Sequence, residues 1–237
     1  MKITLESVPH IPPPYAYRLS IELEESNQGF SVNINWHFTE RETLTKAEIL
    51  DEGFEPDGDF SWKGILPLSW VTYFKSLPTD FQKSEIPAIH GDVQIRVETE
   101  EGYLRPKQFD HWILFAQEMF QAGLEAAGVE LPLQVHVRSS FDGKQAACEF
   151  NVSFQQHQGQ VAISASEKPI SLQWGECQKL LALFFEGDET ADPVKNPIIE
   201  NSVAFSTDKK YWMVFGKNYH HMEVEWVGKV LALLHLN

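Results

Sequence analysis

At 237 residues, with 43% apolar and 22% charged side chains, the chain is long enough to bury a core of its own and too apolar for a disordered segment. Its 19 Lys and Arg stand against 34 Asp and Glu, a net charge of −15 that repels phosphate backbones and anionic lipid and suits a basic partner. Two cysteines, Cys148 and Cys177, are too few for a disulfide scaffold and read as free, small, half-buried side chains. The first residues, MKITLESVPHIPPPYAY, hold one lysine and no apolar run, and no apolar run elsewhere approaches the ~18–20 residues that span a bilayer. The expectation is a soluble, cytoplasmic protein with no nucleic-acid or membrane partner.

In chain order, residues 3–8 read as a first strand stopped by Pro9, and the triple proline 12–14 as a stiff connector. Over 15–25, Tyr15, Tyr17, Leu19, Ile21 and Leu23 alternate with mostly polar residues, a turn follows at 26–29, and Phe30, Val32, Ile34, Trp36 and Phe38 resume the alternation. That period-2 pattern is a β-hairpin with one apolar face. Thr43 or Thr45 then caps a short helix over 46–51. Residues 53–70 read as a loop that mixes acidic, glycine and aromatic residues, and Pro67 opens a helix that Pro78 closes. The segment 79–91 has little pattern and is the candidate boundary of what is otherwise one compact unit.

Val93, Ile95 and Val97 mark another strand. It is followed by the clearest element of the chain, a helix over about 107–127. Phe109, Trp112, Ile113, Ala116, Met119, Phe120, Gly123, Leu124 and Ala127 share one face of it, leaving Asp110, Gln117, Glu118, Gln121 and Glu125 for a narrow wet strip. This helix is expected to be a buried spine under a sheet. Leu133, Val135 and Val137 alternate in the next strand, so 93–138 could form a crossover with parallel neighbours. Turns at 141–144 and 157–159 separate two further strands, and a helix is expected over 172–186. An acidic loop and a hairpin around 207–210 follow, and then a C-terminal helix with Asn218 as its N-cap. The fold class is therefore α+β: a largely antiparallel, twisted sheet of hairpins, with the spine and two further helices packed on one side. The hairpin–helix order of 15–50 recurs at 146–185, which raises a degenerate duplication as a hypothesis.

Signatures of chemistry are scarce. The chain has no G-x-S-x-G, no phosphate-cradling glycine loop and no H-E-x-x-H, and its cysteines lack zinc-ligand spacing. No motif is specific enough to carry a family resemblance. In the acidic stretch 51–59, a calcium loop opening at Asp57 would need a glutamate where Leu68 stands. His221 and Glu225 are one helical turn apart and form the weak metal candidate; a polar helix face is the simpler reading. Arg96, His136 and Arg138 lie on the polar faces of their strands and would converge on a carboxylate or phosphate if those strands were neighbours, unless Glu98 and other carboxylates neutralise them. Trp62, Trp70 and Tyr73 are the candidate interaction surface, set against the alternative that such aromatics are core.

No cofactor is implied, and the sequence leans away from an enzyme. The favoured reading is a non-enzymatic protein-interaction or binding module for a basic protein. A hydrolase or transferase with a dispersed site and a small-ligand carrier are the alternatives.

Overall fold

The computed structural model describes residues 1–164, 168–221 and 226–234. The chain divides into two compact units, one of residues 1–130 with 154–156, the other of 131–153 and 157–237.

The first unit contains β1 (Lys2–Ser7), β2 (Tyr17–Ser26), β3 (Gly29–Phe38), α1 (Lys46–Asp51), β4 (Phe60–Leu66), α2 (Leu68–Ser76), β5 (Phe81–Lys83), β6 (Ala88–His90), β7 (Val93–Thr99), β8 (Gly102–Pro106) and α3 (Phe109–Ala126). Its strands form one sheet in the order β4-β3-β2-β1-β7-β8-β5, with β6 also beside β7. Every pairing is antiparallel. The alternation of the sequence sets its two faces. Ile3, Leu5, Leu19, Ile21, Ile34, Ile95 and Val97 are buried together with Trp112, Phe115, Ala116 and Met119 of α3. The spine expectation is thus met inside this unit, with the helix starting at Phe109 rather than at 107, and Pro106 ending β8.

Residues 60–66 and the polar strip of α3 depart from the sequence reading, and β5, β6 and β8 are strands it did not expect. Residues 60–66, expected as loop, are an edge strand registered on β3 from Trp36↔Phe60 to Phe30↔Leu66. The ladder supplied by β3 outweighs the glycine and acidic composition around it, because local propensity is a weak prior against tertiary pairing. On α3, Glu118 and Glu125 are buried rather than wet. The Glu125 carboxylate accepts the backbone N–H groups of Phe154 and Gln155 at 2.9 and 3.0 Å, which satisfies a charge that burial would otherwise penalise. Thr45 does cap α1, in a reciprocal capping box with Glu48. Residues 79–91 carry β5 and β6, both hydrogen-bonded into this sheet.

The second unit contains β9 (Leu133–Phe141), β10 (Lys144–Ser153), β11 (Gln158–Ile163), β12 (Ile170–Leu172), α4 (Trp174–Phe185), β13 (Asp188–Glu189), β14 (Ser202–Ser206), β15 (Met213–Val214), β16 (Tyr219–His220) and α5 (Trp226–Leu233). Six strands run in the order β12-β11-β10-β9-β14-β15, and β13 pairs with β16 apart from them. Phe205 anchors the core, with ring centroids of Phe184, Phe215 and Tyr219 5.0–5.2 Å away. Cys148 and Cys177 are buried here, more deeply than the sequence suggested.

Asn218 does not cap a helix. Its side chain accepts the Val214 N–H at 2.6 Å and donates to the Asp192 carbonyl at 3.0 Å, locking a turn. The described part of the C-terminal helix is Trp226–Leu233. The fold class is the expected α+β built from antiparallel hairpins. The strands fall into two principal sheets, with the spine in the first unit and the other two expected helices in the second.

Candidate functional site

Strand alternation leaves the first sheet with a polar face that carries Lys2, Thr4, Glu6, Arg18, Ser20, Glu22, Asn33, Gln94, Arg96 and Glu98. The register arranges these side chains in rows across β2, β1 and β7. Arg18, Glu6 and Gln94 form one row, Ser20, Thr4 and Arg96 the next, and Glu22, Lys2 and Glu98 the third. In the first row the Arg18 Nε and Nη2 both donate to Glu6, and Gln94 reaches the other carboxylate oxygen at 3.4 Å. In the third row Lys2 stands 3.6 Å from Glu22, which also accepts from Asn33 at 3.1 Å.

The face opens into two grooves. One, of about 760 Å³, is lined by Glu22, Glu24, Glu98 and Glu100 against Lys2 and Lys63. The other, of about 250 Å³, lies over the Arg96 row. Arg96 is half-buried, its Nε has no hydrogen-bond partner among the described residues, and its guanidinium carbon sits 5.0 Å from the Tyr103 ring centroid.

In the second unit, β9 places His136 and Arg138 on one face. His136 is opposite Glu149 of β10 and Ser206 of β14. The Glu149 carboxylate gathers the neighbourhood: one oxygen is 3.1 Å from His136 Nδ1 and 3.0 Å from Lys209 Nζ, and the other accepts from Gln134 at 3.2 Å. The Lys209 hydrogen bond holds the Glu149 carboxyl below the usual carboxylate range. Burial, aided by the Lys209 charge, holds His136 below the usual imidazole value despite Glu149. Ser206 donates its hydroxyl to Asp208 at 3.0 Å rather than to His136, so no nucleophile–base pair is formed. Arg138 lies over the Trp212 ring, 4.3 Å from its centroid.

The expected convergence of Arg96 with His136 and Arg138 required neighbouring strands. β7 pairs with β1, β6 and β8, and β9 with β10 and β14. The crossover with parallel neighbours is therefore not formed. His136 and Arg138 share a face, and Arg96 belongs to the other sheet. Glu149, which sequence reasoning did not single out, is the carboxylate that pairs with His136 and Lys209, while Arg138 is covered by the Trp212 ring. Its only sequence signal was its alternate position in a strand whose partner was unknown.

The aromatic segment divides between core and margin. Trp70 is fully buried, its indole N–H donating to the Phe154 carbonyl at 3.0 Å, so the surface expectation fails for this ring. Trp62 and Tyr73 are half-buried against the same core. His221 lies at the end of the described segment 168–221, and Glu225 lies outside the described residues. Among the described residues, no group of three or more His, Cys, Asp and Glu is arranged to hold a metal ion, and no helix is long and apolar enough to cross a membrane.

No protein-family model matches the chain, and no curated protein or solved structure matches it.

Proposed function

We propose that the protein is a non-enzymatic, cytoplasmic binding module whose acidic first unit engages a basic protein partner. The observation that carries this reading is the distribution of charge. Residues 1–130 hold 10 Lys and Arg against 22 Asp and Glu, a net −12, while residues 131–237 hold 9 against 12, a net −3. Four carboxylates, Glu22, Glu24, Glu98 and Glu100, border one groove on the polar sheet face, and among the described residues only Glu22 of the four has an ion-pair partner. Such a field raises encounter rates with cations and selects against anionic partners, while exposed pairs add little affinity individually.

The alternatives have less support. The dispersed-site enzyme depended on strands that are not neighbours. The carrier reading depended on aromatic richness, and in the first unit those rings pack on one another: Trp36 stacks on Tyr17 and on Phe120, with centroids 4.1 and 4.7 Å apart.

The test is selection of random 12-residue peptides on immobilised protein at low salt. Enriched peptides are expected to be Lys- or Arg-rich. They should release as salt rises past the point where the Debye length falls to about 3 Å, and bind more weakly to an E24Q/E98Q/E100Q variant. Enrichment of neutral or acidic peptides, or binding indifferent to salt and to the triple substitution, would reject the reading.

A further inference from the structure

The smaller groove on the first sheet has a chemistry opposite to that of its surroundings. Thr4 faces Arg96 on one side and Ser20 on the other, so a guanidinium and two hydroxyls stand in line across three strands. Directly opposed residues in such ladders are about 5 Å apart, so one small group can reach all three. Among the described residues, Arg96 forms no ion pair and its buried Nε no hydrogen bond, and neither hydroxyl is in a hydrogen bond. The neighbouring rows explain why: Glu6 is committed to Arg18 and Gln94, and Lys2 to Glu22. A buried guanidinium nitrogen left without an acceptor is costly, and a planar, bidentate acceptor is its best complement.

We propose that this groove is a binding site for a small carboxylate, held by the Arg96 guanidinium with the hydroxyls of Thr4 and Ser20. The local charge favours a monoanion. Arg18 is paired with Glu6 and Lys2 with Glu22, which leaves Arg96 as the one lining cation without an ion pair among the described residues, with Glu98 also in the lining. A dianionic phosphate would exceed that single charge inside a strongly acidic unit. Tyr103 and Pro87 supply the apolar wall for the ligand's body. A space of about 250 Å³ holds the equivalent of roughly eight waters, the size of a compact organic acid or of a peptide's terminal residue.

The test is a two-dimensional amide NMR titration of the whole chain with two acids, benzoate and acetyl-Lys-Phe. Each is paired with its carboxamide, and inorganic phosphate is run in parallel. The proposal expects shifts centred on Thr4, Ser20, Arg96 and Tyr103 with at least one acid. Affinity should be at least tenfold weaker for the matching amide, at least tenfold weaker in R96Q, and several-fold weaker in R96K, which keeps charge without the fork. Benzoate binding identifies a free organic acid as the source; binding of acetyl-Lys-Phe alone identifies a peptide C-terminus. If R96Q is misfolded by amide dispersion, T4V replaces it, with a several-fold loss expected. Absence of shifts with both acids, equal shifts with the amides, an unchanged affinity in R96Q or T4V, or tighter binding of phosphate than of either acid overturns the proposal. Binding of basic peptides to the adjoining acidic groove is read separately from these arms, so either result can fail alone.

Discussion

His136 Nδ1 lies 3.1 Å from Glu149 Oε1, yet the imidazole is held below its usual pKa. Burial of the ring, 6% exposed, outweighs the attraction of a carboxylate that is itself shared with Lys209. The Glu149 carboxyl is depressed as well.

Both shifts destabilise the second unit in acid. The unfolded chain binds the His136 proton more readily than the folded one, so that contribution is intact above about pH 6.5 and lost as pH falls through the lower folded value. Glu149 has the same sign in a lower window, intact above about pH 4.5 and lost below. We expect His136 to titrate below 6.5 by NMR, and Lys209→Met to raise the pKa of both groups. A His136 midpoint above 6.5 would show that the Glu149 pairing, not burial, governs the ring.

His157 should behave similarly but more strongly. Burial lowers its pKa to about 4, and the ring stacks on Trp174 with centroids 4.0 Å apart. Its proton is taken up on unfolding, so its contribution to stability is lost between about pH 6.5 and 4. Thermal unfolding followed across that range should show the midpoint falling, and His157→Asn, which also tolerates the residue's φ of 52°, should flatten the fall. An unchanged pH profile in that variant would remove His157 as the cause.

The two thiols should be silent in the native protein. Burial pushes the Cys148 thiol up to about 12, and Cys177 is fully enclosed. The thiolate is the reactive form, so a disulfide reagent at pH 8 should label neither until denaturant is added, and then both. Rapid labelling of either thiol before unfolding would contradict the packing around it.

Gly29 opens β3 with φ 138°, and an added Cβ would lie 1.9 Å from the Leu66 carbonyl oxygen. That atom is backbone in the adjacent edge strand and cannot swing aside. Gly29→Ala should therefore cost about 3 kcal/mol or more in urea unfolding, through backbone strain and steric overlap. Gly53→Ala is the control. It shares the positive φ but meets nothing within 4 Å, so it should cost only about 1 kcal/mol.

Arg41 is buried, and its guanidinium carbon stands 3.3 Å from the Phe38 ring centroid. It donates to the carbonyls of Pro14 and Glu55, so it pins two loops at once. Arg41→Ala should lose about 2–3 kcal/mol, and Arg41→Lys should recover only part because one ammonium cannot span both carbonyls while covering the ring. Full stability in the alanine variant would mean that water replaces the guanidinium without penalty.

What the sequence determined was whatever depends on neighbours along the chain. The period-2 runs at 15–38 specify a hairpin and its apolar face, because alternate side chains must point to opposite sides; the strand itself starts at Tyr17. The 3.6-residue stripe from Phe109 to Ala126 specifies a helix buried on most of its circumference. A cap before α1 was confined to Thr43 or Thr45, and the structure selects Thr45 together with Glu48. The tertiary structure decided everything that depends on which strand lies beside which. Pairing with β3 turned an apparent loop into β4, and two amides distant in sequence made Glu125 a buried acceptor. The placement of β7 and β9 in different sheets separated Arg96 from His136 and Arg138. It left Arg96 opposite Thr4, and His136 opposite Glu149. Alternation fixes the face on which a side chain lies but carries no information about the partner across the ladder, and in this protein the partners set the charge of every candidate site.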